Sequence, residues 1–288
     1  MSATEVVEAD LTWTGTRFEP DVRIAIGADG RIAAVGRLPA EPTRRLAGRA
    51  LLPGFVNAHS HAFQRALRGQ AERFPAGGGS FWTWREAMYR LVDRLDEDAL
   101  HRVCLQAFGE MLDAGITTVG EFHYLHHARD SKDFALDAVV LGAAASAGIR
   151  IVLLEAYYVT GGIGRPLEGA PLRFDSISPQ AYWRQMDRLD AVRDPKTQSL
   201  GAVAHSIRAA RPEDIGSLYA EASRRGLVFH LHMEEQPKEI EETLAAYGQR
   251  PLELLNETLG RAERVTAVHC THSEAADLTR FLARGGRV

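Results

Sequence analysis

Two histidine patterns carry the chemistry most open to reading. Asn57-Ala58-His59-Ser60-His61 and His230-Leu231-His232 both space histidines at i and i+2. On extended backbone such residues point the same way, so paired imidazoles can reach one ion. Zinc accepts imidazole nitrogens at about 2.0–2.1 Å. Glu235 follows His232 by three residues. A carboxylate there sits beside a metal-held water, where a general acid or base is needed. It reads equally well as a first-turn acid of a helix opening at Pro237-Lys238, with Glu234 beside it as a surface acid. His269 closes the apolar run Val265-Thr266-Ala267-Val268, which implies a polar task or a satisfied core histidine. His272 lies further into the loop and reads as incidental.

The elements that must position these groups follow a repeating plan. Ten of the eleven histidines fall at or just after the C-terminal end of an expected strand; the exception is His101, inside a helix. His59 and His61 end one apolar run, His123, His126 and His127 a second, and His205, His230 with His232, and His269 with His272 three more. The clearest helix spans about 97–114. Asp96 is its N-cap, and Leu100, Cys104, Ala107, Phe108 and Met111 share one face. Gly115 ends it, and the strand 117–122 follows at once. Ala147-Gly148-Ile149 and Arg225-Gly226-Leu227 repeat that junction before strands 150–156 and 228–232. Strands are also expected at 51–57, 200–204 and 265–268. Parallel strands with helical crossovers follow. A doubly wound sheet is the rival, but histidines on most strand ends favour a β/α barrel, whose strand ends converge on one mouth.

Residues 1–50 read differently, as a small β module: Val22, Ile24 and Ile26 alternate, Asp29-Gly30 supplies a turn, and an apolar strand resumes at Ile32. The remaining 51–288 form the barrel. Helix 278–283, the cap Gly285-Gly286 and Arg287-Val288 begin a seventh strand, so six strands and a stub are expected where a closed barrel needs eight. Either the chain is a fragment or a partner or dimer mate completes it.

Composition sets bounds. A net charge of −4 gives no reason to expect nucleic acid or anionic membrane as a partner. Two cysteines are too few for a disulfide framework, and Cys104 reads as core. With no signal peptide and no apolar run of spanning length, the expected location is cytoplasmic.

The run Leu52-Pro53-Gly54-Phe55-Val56-Asn57-Ala58-His59-Ser60-His61 resembles the metal-binding strand of the amidohydrolase superfamily. Ala62-Phe63-Gln64-Arg65-Ala66, Ser80-Phe81-Trp82-Thr83-Trp84-Arg85-Glu86, Glu121-Phe122-His123-Tyr124, His205-Ser206-Ile207-Arg208-Ala209 and His230-Leu231-His232-Met233-Glu234-Glu235-Gln236 are similar, more narrowly, to the formimidoylglutamate deiminases. The resemblance implies a (β/α)8 TIM-type barrel in which His59, His61 and His232 bind one zinc ion. It implies that Glu235 and His269 shuttle protons, and that Gln64, Arg85, Tyr124, His205 and Arg208 hold the substrate. Without it, Arg85 would read as a solvated helix residue; Arg208, just past a strand end, has the better independent case.

The implied reaction is hydrolysis of N-formimino-L-glutamate to N-formyl-L-glutamate and ammonia. Arginine forks suit that substrate's two carboxylates. The family's fourth metal ligand, an aspartate after the eighth strand, has no equivalent here. The alternatives are a nucleobase or triazine deaminase of the same superfamily, and a catalytically inactive truncated chain.

Overall fold

The computed structural model describes residues 3–70 and 81–288; Ser80 lies outside the described residues. The chain divides into two compact units, Met1–Phe55 and Val56–Val288. The first holds β1 (Ala3–Trp13), β2 (Phe18–Glu19), β3 (Arg23–Gly27), β4 (Ile32–Gly36) and β5 (Arg44–Leu51). They run in the order β2-β1-β3-β4 with β5 on β1. Pairing is antiparallel except between β1 and β5. The turn at Asp29-Gly30 forms as its residue types dictate. The Asp29 carboxylate accepts the Arg31 amide at 3.1 Å, and Gly30 takes φ +74°.

One expected strand is in fact two. Leu51 ends β5, Pro53-Gly54 intervenes, and β6 runs from Phe55 to Ser60. Proline has no amide hydrogen to give a ladder, so an apolar run through Pro53 cannot remain one strand.

The second unit is a parallel half-barrel. Its sheet comprises β6, β7 (Ile116–His123), β8 (Arg150–Tyr157), β9 (Gln198–Ser206), β10 (Phe229–Met233) and β11 (Val265–His269), adjacent in chain order. Every ladder from β7 to β11 is parallel. The helices are α1 (Phe81–Val92), α2 (Glu97–Asp113), α3 (Ala135–Ala147), α4 (Pro179–Val192), α5 (Pro212–Arg224), α6 (Pro237–Tyr247), α7 (Pro251–Leu259) and α8 (Ala275–Ala283). Past α8, the Arg287 amide donates to Val265 and its carbonyl accepts from Ala267, both at 2.9 Å, so the stub pairs with β11.

Local chemistry sets the helix ends. Asp96 caps α2 by accepting the Ala99 amide at 2.8 Å. Gly148 ends α3 at φ +80° and its amide reaches back to Ala144, which turns the chain straight into β8. The core lies between sheet and helices: Val119, Ile151 and Leu153 pack with Val140, Ala143 and Ala144 of α3. Each large aliphatic buried this way contributes about 1.5–3 kcal/mol. The other sheet face is concave, and the histidine-bearing strand ends open onto it.

Candidate metal centre and active site

His59 on β6, His61 just past it and His232 on β10 bring their Nε2 atoms together. His59 and His61 lie 3.1 Å apart, and each lies 3.3 Å from His232. The Nδ1 atoms explain the orientation. His61 Nδ1 donates to the Phe122 carbonyl at 2.8 Å and His232 Nδ1 to the His205 carbonyl at 3.1 Å. A carbonyl can only accept, so both rings carry their hydrogen on Nδ1 and turn an Nε2 lone pair inward. Converging lone pairs repel unless a cation lies between them. Tetrahedral zinc with nitrogens at about 2.05 Å spaces them roughly 3.3 Å apart, which is the spacing seen. The donor set therefore fits a divalent ion.

Phe122 is the floor of this group. It is fully buried, and its ring lies 4.1 Å from that of His232, 5.2 Å from His59 and 5.1 Å from His61. Burial, with smaller contributions from the neighbouring histidines, lowers the pKa of His59 to about 4 and of His61 to about 3. His232 and His205 lie well below the ordinary value for the same first reason. All four are neutral at pH 7, the state a metal requires.

A cavity of about 250 Å³ opens over the three imidazoles, and every expected site residue lines it. Gln64 donates to the Tyr124 hydroxyl at 2.7 Å. The His205 ring packs on those of Tyr124 and Tyr158, with centroids 5.1 and 4.6 Å away. The Arg85 guanidinium lies 5.6 Å from the Tyr89 ring centre. His269, solvent-exposed at the rim, stacks on His232 at 5.3 Å and 22°. Its φ of +82° is a costly backbone state for a non-glycine residue. Glu235 accepts a hydrogen bond from Arg208 at 2.9 Å.

Sequence reasoning misses several residues here and misplaces others. Tyr158, just past β8, and Trp84 on α1 also line the cavity. Tyr158's place at a strand end is the signal that could have found it. His230 sits one layer deeper than His232. It faces a larger cavity of about 760 Å³ at the N-terminal ends of the strands, whose lining joins Val56, Leu154, Leu200 and Val228 with Asp187 and Arg225 and includes none of the three imidazoles. Glu234 is not a surface acid: it is fully buried, at φ +47°, and accepts the Leu252 amide at the start of α7.

His123, His126 and His127 do structural work. His126 directs Nδ1 at Asp137 (2.9 Å) and Glu155 (3.1 Å) and Nε2 at the Ala156 carbonyl (2.7 Å). Both nitrogens face acceptors, so the ring is an imidazolium paired with buried carboxyls. His123 reaches the same Asp137 oxygen at 3.2 Å, and Gln185 donates to the other. His127 donates to the Asp175 carbonyl and accepts the Phe134 amide before α3.

A family model for the amidohydrolases matches residues 50–288. The chain belongs to the amidohydrolase family. A formimidoylglutamate deiminase from Pseudomonas aeruginosa is 40% identical over 274 residues, covering 93% of this chain and 60% of that protein. A crystal structure of an amidohydrolase from Brucella melitensis superposes with a TM-score of 0.86 at 31% identity, over 98% of this chain and 64% of that one. A zinc-bound adenosine deaminase from Xanthomonas campestris shares the fold, with a TM-score of 0.76 at 23% identity over 98% of this chain and 61% of that one. The chain thus spans about three-fifths of the length of the relatives it matches. Within this family frame, the half-barrel carries a three-histidine site fitted to a divalent ion. Among the described residues, no helix is long and apolar enough to cross a membrane.

Proposed function

We propose that the protein takes part in hydrolytic deimination of N-formimino-L-glutamate, giving N-formyl-L-glutamate and ammonia in histidine breakdown, with zinc as the ion. The observation that carries this reading is cationic Arg208 lining one cavity with three converging imidazoles. A neutral nucleobase has no carboxylate to engage Arg208. The 40% identity to a formimidoylglutamate deiminase points the same way.

His59, His61 and His232 would hold the ion. When bound, it supplies Lewis acidity and a nucleophile from water at neutral pH. Arg208, with Arg85 across the cavity, would take the substrate carboxylates; Gln64, Tyr124 and His205 would fix the chain between them. Glu235 would take a proton from the attacking water and deliver it to the departing nitrogen. His269, at the rim, would stabilise the charge that develops on the formimino carbon's substituents. Water adds across the C=N bond and ammonia leaves, so no oxidant or further reactant is required.

The test is ammonia release from N-formimino-L-glutamate by zinc-loaded protein, against adenine-type and triazine substrates on the same day. Release from the formimino compound alone is the expected result. Turnover of the heterocycles, or of none, overturns the assignment. A soluble cytoplasmic setting suits so polar a substrate.

A further inference from the structure

Arg208 has two carboxylates, and the reading above uses only one. Its Nη2 donates to Glu235 at 2.9 Å, while its Nε lies 3.7 Å from Glu239, in the first turn of α6. The Glu239 side chain is wholly buried, where a carboxylate is costly unless a cation faces it. Its other contact is the Glu235 backbone amide, which donates to Oε2 at 3.2 Å. Glu239 thus touches both Arg208 and the backbone of Glu235 from outside the cavity that these two line. Burial works against the Arg208 charge, yet Glu239 and then Glu235 raise its pKa above the ordinary value. At Glu239 burial outweighs Arg208 and raises the carboxyl to about 7, so the pair is fully ionised only above that pH, where the titrations below are run.

A substrate carboxylate that binds Arg208 competes with Glu235 for the same guanidinium. We propose that Glu239 is a positioning residue that anchors Arg208 from behind, so that the guanidinium stays aimed into the cavity when a substrate carboxylate displaces Glu235. The exchange also frees Glu235 for proton transfer, and only a substrate bearing an anion would trigger it. This deepens the formimino-glutamate reading and rests on it.

A purely structural role is the competing account, because Glu239 also reaches back to an amide at the helix start. Glutamine serves that capping task as well as glutamate does, so Glu239→Gln removes the charge and keeps the cap. The probe is N-formyl-L-glutamate, a dicarboxylate, titrated calorimetrically into the zinc-loaded full chain. Its Kd is expected to weaken about tenfold in Glu239→Gln, as for the loss of one charge-assisted contact. Glu239→Asp should restore part of the affinity. In an Arg208→Met background, Glu239→Gln should change nothing further. Unchanged affinity in Glu239→Gln, or the same loss without Arg208, overturns the proposal.

Crystal structures of Glu235→Ala and of Glu235→Ala/Glu239→Gln supply a readout independent of the substrate, because both lack the competing Glu235 carboxylate. Arg208 in place in the first and swung away from the α6 side in the second supports the anchor, and Arg208 unmoved in the second refutes it. Should wild-type protein bind no N-formyl-L-glutamate, the functional reading fails while this second readout still decides the anchor. If Glu239→Gln does not fold, Glu239→Asp and Arg208→Met carry both measurements.

Discussion

At the level of single residues, the site depends on side chains whose second contact fixes the first. His61 and His232 face inward because each spends Nδ1 on a backbone carbonyl. Second contacts of this kind orient metal-binding histidines generally. Glu235→Gln is expected to lower kcat for N-formimino-L-glutamate about 10²–10⁴-fold with little change in zinc content, the range for losing a general acid-base; steady-state kinetics beside metal analysis checks this. Phe122→Ala should weaken zinc binding although Phe122 offers no ligand, because three imidazoles lose the ring they pack on; a competitive chelator titration reads it. The i, i+2 histidines were legible because an extended strand fixes where they point. Phe122 and Glu234 were not. An apolar residue inside an apolar strand carries no mark of what it packs against, and an acid beside Glu235 looks solvated until α7 folds over it.

At the level of elements, β6 and β7 must approach closely if the imidazoles of one are to meet the carbonyls of the other. Gly120 permits this: a Cβ there would lie 2.8 Å from the Ala58 carbonyl oxygen. Gly120→Ala is therefore expected to cost about 1–3 kcal/mol, as overpacking does. Gly109→Ala, in α2 with nothing near its Cβ, should instead stabilise by roughly 0.5–1 kcal/mol through helix propensity. Chemical denaturation of both variants separates the two; equal losses would show that Gly120 is not a close-approach glycine. The strand–glycine–helix rhythm was readable because each junction is local: Gly115, Gly148 and Gly226 all take the left-handed backbone expected after a helix. The break between β5 and β6 was visible in Pro53 and overlooked because Leu51 and Leu52 continue the apolar run. The His126–Asp137–Glu155 network, which ties the loop after β7 to α3 and β8, was beyond reach: its members are up to 29 positions apart (126 to 155) and meet only when the sheet forms.

At the level of the whole molecule, buried acids give the chain a pH-dependent stability of definite sign. Burial, then the Asp137 charge, raises Glu155 to about 8, and burial raises Glu121 to about 7. Each folded pKa lies above the unfolded value of about 4.5, so their contribution is full below that pH and is lost as pH rises through 7 to 8. The Tm is accordingly expected to fall between pH 6 and 9, and Glu155→Gln should flatten that limb; a Tm constant over this range would contradict the burial described. The fold class could be read at this scale because five histidine-bearing strand ends need a common mouth. The measurement that bears most directly on the central claim is zinc content after metal loading and gel filtration. Wild-type protein should retain one equivalent per chain, and His59→Ala, His61→Ala and His232→Ala each should lose most of it. Undiminished zinc in all three variants, or none in the wild type, would contradict the account.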